Sequence, residues 1–253
     1  MTIGTWVDGA VGVVELQRPP HNVLTPEQVE DVAAAYERFD DDLAVGAVLL
    51  CAQGRSFCAG ADFGARSGDG LGGSSTERLY AAAARLVEVG VPVVAAVQGP
   101  AIGGGLGLAM TASLRVTCPE ARFSANFVKL GIHQGFGLSV TLPELLGPSR
   151  AALVLLSGRR FGGEEATELG LADACVPADE LRASAMALAA EVASGAPLAL
   201  RAVNRTLRAG LGERIRVATA HEAAEQARLG ATEDAREGMR AVAERRPGSF
   251  SGR

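Results

Sequence analysis

Lysine is almost missing from this chain: Lys129 is the only one, and the rest of the basic charge is arginine. That bias is read as a compositional habit and carries no function by itself. No apolar run reaches the ~18 residues that a membrane-spanning helix needs. Residues Met1–Gly12 lack a basic stretch followed by an apolar run, so no secretory signal is expected. The cysteines are few, Cys51, Cys58, Cys118 and Cys175, and none forms a C-x-x-C pair. The three histidines do not join them at metal-ligand spacing, so no metal site is expected. Free thiols in a reducing, cytoplasmic setting are the simple reading. Positive charge is in deficit too, with a net charge of −5 and a pI of about 5.4. Nucleic acid or a membrane surface would favour a basic face, so neither is expected as a partner. No G-x-G-x-x-G follows the first strand and no G-x-x-x-x-G-K-[ST] occurs anywhere, which disfavours a nucleotide-dependent oxidoreductase.

What is present describes a globular α/β chain. Its 253 residues, 48% apolar and 21% charged, suffice for one well-buried core. Val11–Leu16 reads as a strand. Thr25 then caps a helix with Pro26 at its first position and Gln28 completing a capping box; the helix is expected to run to about Phe39. Val45–Cys51 and Val93–Val97 are further apolar strands. The Gly- and Ser-rich stretch Gly64–Ser75 is expected to be a mobile surface loop, followed by a helix that carries Tyr80 and reaches about Val89. Gly103–Gly105 open another helix, ending near Met110. Helices dominate the rest, with starts at Ser149, Gly163, Ala178 and Pro197 and stops at Gly147, Gly158, Gly170, Gly195 and Gly210. Thr232 caps a last helix whose acidic first turn, Glu233 and Asp234, and basic end, Arg245 and Arg246, suit the helix dipole. Periodicity alone favours a doubly wound sheet.

Two segments carry more. Arg55–Phe63 reads RSFCAGADF after the second strand, and Pro92–Gly105 reads PVVAAVQGPAIGGG from the third. Each is a strand followed by a turn of small residues, which lets backbone approach a ligand and leaves N–H groups pointing into the space. The first resembles the F-x-A-G-A-D signature of the crotonase (enoyl-CoA hydratase/isomerase) superfamily, and the second resembles its P-V-I-A-A-V-x-G-x-A-x-G-G-G signature. Leu16–Pro19 with Asn22, Ser157–Arg159 leading to Gly170–Asp173, and Glu237–Met239 through Glu244–Arg246 to Phe250 extend the match over nearly the whole chain.

The resemblance implies an α/β spiral of ββα units over residues 1–195, with a C-terminal helical trimerisation segment over residues 196–253 and assembly as a homotrimer or hexamer. It implies an acyl-CoA thioester as ligand, with no cofactor beyond that coenzyme A moiety. The thioester oxygen would sit in an oxyanion hole formed by the N–H groups of Ala61 and Gly104, where preorganised donors stabilise developing negative charge. Ala59, Asp62 and Gly103 would line the same turns. Arg18, Arg245 and Arg246 become candidates to meet the phosphates, or are solvated surface arginines.

The resemblance also breaks. Family hydratases use two glutamates as acid and base; their positions fall on Gly107 and Phe127. Gly107 is expected to leave space in the pocket wall, and Phe127 to offer an aromatic surface to a bulky acyl group. Gly-Leu-Gly after the glycine run, with an aromatic at 127, looks more like the aryl-CoA dehalogenase branch, whose aspartate nucleophile falls on Gly135. Replacement acid–base groups are sought at His133, beside Gln134 in the loop where family branches place catalytic side chains, and at Tyr80. His133 is otherwise a hydrogen-bonded loop histidine and Tyr80 a pocket wall. Two functions stay open: an enoyl-CoA hydratase/isomerase-type enzyme with atypical acid–base residues, and a non-catalytic acyl-CoA binder.

Overall fold

The structure is a computed structural model and describes residues 2–61 and 73–253. Apolar runs without alternation, VGVVEL, AVLLCA and VVAAV, become β2 (Val11–Leu16), β3 (Ala47–Ala52) and β4 (Val93–Val97), almost wholly buried as strands covered on both faces must be. They pair in parallel and continue to β6 (Leu114–Thr117) and β9 (Ala174–Cys175). A strand absent from the expectations, β1 (Ile3–Asp8), adds an antiparallel edge and completes a six-stranded sheet of order β1-β2-β3-β4-β6-β9. Its burial pattern is exposed at four of six positions, so it shows no apolar run to read.

Short strands β5 (Pro100–Ile102), β7 (Arg122–Ser124) and β8 (Phe161–Gly162) make a second sheet of order β5-β7-β8. Isolated bridges Cys58↔Ala101 and Leu24↔Ala61 prolong this row beyond β5. The chain therefore gives one strand to the large sheet and one extended segment to the small one on successive passes, which is the spiral of ββα units.

Helices fill the passes. α1 (Pro26–Asp41) starts as expected, with the Thr25 hydroxyl accepting from Gln28 N. α2 (Ser74–Arg85) is shorter than expected. α3 (Gly104–Met110) follows the glycine run. α4 (Leu138–Ser157) is interrupted at Gly147, whose backbone leaves helical geometry, so the stop read at Gly147 and the start read at Ser149 mark one break inside it. α5 (Gly163–Leu169) and α6 (Leu181–Ala193) complete the core, with Gly158 and Gly170 as left-handed caps of α4 and α5. α7 (Pro197–Leu207), α8 (Leu211–Gly230) and α9 (Glu233–Ala243) form the C-terminal helical stretch. It is tied to the core: Arg201 of α7 donates to the carbonyls of Phe39, Asp40, Asp42 and Val45. Of the stretch Gly64–Ser75, residues 64–72 lie outside the described residues, as does Asp62. No single described helix is long and apolar enough to cross a membrane.

Candidate active site

The turn after β3 and the start of α3 come together at a fixed distance. Gly60 has φ +96° and Gly103 φ +56°, backbone conformations that L side chains rarely adopt, and they turn the two chains toward each other. A Cβ on Gly60 would lie 2.8 Å from the Ile102 carbonyl oxygen and 3.9 Å from Gly104 N. The approach is set by backbone bonds: Cys58 N donates to Pro100 O at 3.0 Å, Ile102 N to Cys58 O at 3.0 Å and Leu24 N to Gly60 O at 2.8 Å. Asn22, fully buried, locks the outer side by donating to Gln53 O and Ser56 O and accepting from Arg18 N.

The N–H groups of the neighbouring turn residues Ala59 and Gly103 are already used. Ala59 N donates to His21 O at 2.9 Å and Gly103 N to Ser124 O at 2.8 Å. Ala61 N and Gly104 N have no backbone acceptor among the described residues, and both residues line one cavity of about 20 Å³, room for about one water. Gly104 is the first residue of α3, so the positive end of that helix faces the same space. Leu79, Tyr80, Phe127, Ile132, Gly135, Phe136 and Gln226 complete the wall.

The wall corrects one expectation. Gly107 does not leave a vacancy: a Cβ there would lie 2.6 Å from Cβ of Phe136, which fills the space and is itself fully buried. Phe136 sits at φ +63°, a left-handed backbone rare for an aromatic residue. It is held there between Gly135 and Gly137 by Glu222 on α8, a buried carboxylate that accepts from Gly137 N at 2.9 Å and Ser139 N at 3.0 Å, at the start of α4. A Cβ on Gly135 would overlap the Tyr80 hydroxyl, so position 135 is closed to a side chain while Tyr80 stands where it does.

Tyr80 is buried, and its hydroxyl donates to Gln226 Oε1 at 3.0 Å, while Gln226 Nε2 donates to His133 O at 3.0 Å. The structure brings Ala61, Gly104, Tyr80 and Phe127 together. It does not bring His133 and Gln134 to the cavity by their side chains. His133 Nδ1 lies 2.9 Å from Gln134 O and its ring packs edge-on against His221, 5.5 Å between centroids; Gln134 Nε2 donates to Ser139 Oγ. Glu222 and Gln226 escaped the sequence reading. Their only signal is two polar residues one turn apart in α8, a spacing that surface positions share.

The arginine candidates lie away from the cavity wall. Arg18 Nη1 donates to Val23 O at 2.9 Å. Arg245, with φ +57°, and Arg246 border a surface recess with Arg160 and Val242. Arg246 is engaged by Glu237 and Glu244, and Glu237 is held far below the usual carboxylate range by Arg246, then Arg240 and the Ser249 N–H. Cys58 stands beside the turn, but burial pushes its thiol up to about 12, so it is no nucleophile near neutral pH. Among the described residues no three His, Cys, Asp or Glu side chains group as metal ligands.

The sequence profile of the enoyl-CoA hydratase/isomerase family matches residues 7–253. A protein of Mycobacterium tuberculosis described as a probable enoyl-CoA hydratase is 34% identical over 251 residues, covering 97% of this chain and 96% of that protein. A Bacillus subtilis protein of the same description is 30% identical, with 97% of each chain covered. The crystal structure of an enoyl-CoA hydratase/isomerase from Pseudoalteromonas atlantica superimposes with a TM-score of 0.87 at 29% identity, covering 99% of this chain and 100% of that one. This chain belongs to the enoyl-CoA hydratase/isomerase family and has the crotonase fold.

Proposed function

We propose that this protein binds an acyl-CoA thioester with its carbonyl oxygen between Ala61 N–H and Gly104 N–H, and acts on it as an isomerase- or hydratase-type enzyme with a tyrosine acid. The observation that carries the reading is the pair of backbone donors that have no backbone acceptor among the described residues, on two separate turns that line one mostly apolar cavity. Enolate chemistry places negative charge on that oxygen, and removing one such donor in other enzymes costs about 2.7–4 kcal/mol.

Proton transfer needs more than the donors. No carboxylate belongs to the described lining; Gly107 and Phe127 hold the places of the family's two glutamates. Tyr80 supplies the one hydroxyl there, oriented by Gln226. A phenol donates a proton near neutral pH and is a poor base for water. Hydration and isomerisation each also need a group that takes up a proton, and the described lining holds none, so Tyr80 can serve as the acid only with a base from outside that lining. His133, hydrogen-bonded within its loop, supports the proposal only through its carbonyl, which holds Gln226. The lack of a base also favours a second reading, a carrier that binds thioesters without turning them over.

The proposal includes a homotrimer or hexamer in the cytoplasm and no cofactor beyond coenzyme A. Arg18, Arg245 and Arg246 remain proposed phosphate contacts, with Arg246 first having to leave Glu237. Titration calorimetry with crotonyl-, octanoyl- and benzoyl-CoA tests the reading. Binding of at least one ester is expected, and no binding of any at millimolar concentration refutes it. Turnover by isomerisation or hydration supports the enzyme; binding with neither supports the carrier.

A further inference from the structure

Arg208, just past the end of α7, is a cation without a counterpart. Its guanidinium makes no hydrogen bond and no ion pair among the described residues, and its Nη1 is buried. Burial pushes its pKa down to about 10, and the charge of Arg115 acts the same way, which still leaves it charged near neutral pH. Arg115, on β6, is only 2% exposed. It donates to the carbonyls of Leu171 and Ala112 and, at 3.4 Å, to the Asp173 carboxylate. Tyr36, whose hydroxyl is also buried without a partner, adds no counter-charge, because burial raises its phenol above the ordinary value. A buried cation is costly unless an opposite charge meets it, and Arg208 meets none within the described chain.

Both arginines line one recess of about 200 Å³, bounded also by Ser113 and by Thr141 and Glu144 of α4. It shares no lining residue with the cavity at Ala61 and Gly104. The other polar groups on its wall are taken. Ser113 Oγ accepts from Val93 N and donates to Asn204 Oδ1, and Thr141 Oγ1 donates to Gly137 O. Glu144, partly exposed, is paired with Arg214. The start of α8 at Leu211 and the end of α3 at Met110 border the recess as well. Those opposed helix ends offset one another, so the arginines decide its sign.

We propose that this recess is a binding site for a small, multiply charged oxyanion of the phosphate type, held between the guanidinium groups of Arg208 and Arg115. An arginine's planar fork matches the oxygens of a phosphate or a carboxylate. Two forks on one recess ask for more than one acceptor edge and more than one negative charge. Phosphate offers both, whereas a monocarboxylate offers one of each. The bound anion links the start of β6 to the turn between α7 and α8, and the site stands whether or not the protein takes a thioester.

The test titrates inorganic phosphate calorimetrically into the full-length native protein and into Arg208→Gln, at an ionic strength held constant with sodium chloride, and uses acetate as the monocarboxylate control. The native protein is expected to bind phosphate saturably at millimolar concentration or below, and acetate about ten-fold more weakly. Its Tm should rise as phosphate is added, since a ligand of the folded state alone stabilises that state. Arg208→Gln is expected to weaken phosphate binding about ten-fold or more and to lose that rise in Tm. Hydrogen exchange locates the anion without any variant: phosphate should slow exchange at residues 110–115 and 208–212 of the native protein and leave residues 242–246 unchanged. Absence of saturable phosphate binding to the native protein, acetate bound as tightly, equal phosphate binding by Arg208→Gln, or protection confined to residues 242–246 would each overturn the site.

Discussion

Glycine at position 107 does the opposite of what its size suggests. In a sequence it reads as a gap where an acid side chain has been removed. In the fold it is the condition for Phe136 to enter, and the two make one packed contact. Substitution by alanine overpacks that contact, which costs ~1–3 kcal/mol. Gly107→Ala is therefore expected to lower Tm by roughly 2–4 °C for each kcal/mol lost. Gly107→Glu is expected to destabilise further without restoring crotonyl-CoA hydration; melting curves and a hydration assay check both. Tyr80 gives the second prediction at this scale. Phenylalanine keeps the ring that lines the cavity and removes the proton, so Tyr80→Phe should keep thioester affinity within a few-fold while turnover falls ~10²–10⁴-fold. His133→Ala leaves the backbone carbonyl that holds Gln226 in place and should leave turnover near native. Steady-state rates of the two variants side by side decide which residue carries the proton.

One helix, α8, holds the loop that shapes the site, and nothing local in its sequence announces it. Strands with long apolar runs, the capped start of α1, the glycine turns and Thr232, whose hydroxyl accepts from Ala235 N, were legible because each signal is local. Phe136, Glu222 and Gln226 were not, because their meaning arises only when α8 is laid against residues 133–139, some ninety positions earlier in the chain. Short strands β5, β7 and β8 escaped for a like reason: two or three residues carry no periodicity, and only pairing defines them. Glu222 accepts two backbone N–H groups in the interior, and Glu222→Ala strands both. Each unsatisfied buried donor costs ~1–3 kcal/mol, so a fall in Tm accompanied by faster amide exchange at Gly137 and Ser139 is expected, measured by hydrogen-exchange mass spectrometry. At the end of α9, Glu237 links Arg240, Arg246 and Ser249 N. Its folded pKa lies below the unfolded one, so its contribution is present above about pH 4 and is lost as pH falls through the folded value. Contacts of residues 246–249 should therefore persist when solvent is brought to pH 4 and loosen only in stronger acid, whereas Glu237→Gln loosens them already at pH 7; the same exchange measurement reads this.

At the scale of the molecule, the large sheet is covered and the C-terminal helices are not. Leu198, Val203 and Leu207 on α7 and Val217 on α8 are 69%, 58%, 79% and 66% exposed, while Arg201 and Asn204 of α7 point inward to hold backbone carbonyls. This inverts the ordinary amphipathic pattern: α7 anchors itself by polar bonds and turns much of its apolar surface outward. Single exposed leucines are unremarkable, but several on adjoining helices mark a surface awaiting a partner. A second copy of the chain is the proposed partner, and a trimer or hexamer would cover them. Burying a leucine is worth about 1.5–3 kcal/mol. Replacing two per protomer by glutamate also places charge in the contact, so the assembly should fail while the core, which these side chains do not touch, stays folded. Light scattering at micromolar concentration is expected to give three or six times 25.9 kDa for the native protein, and a mass near 25.9 kDa for Leu198→Glu/Leu207→Glu with an unchanged circular dichroism spectrum. A native protein that already scatters as a 25.9 kDa monomer would show that α7 faces water by design and that the site is complete in one chain.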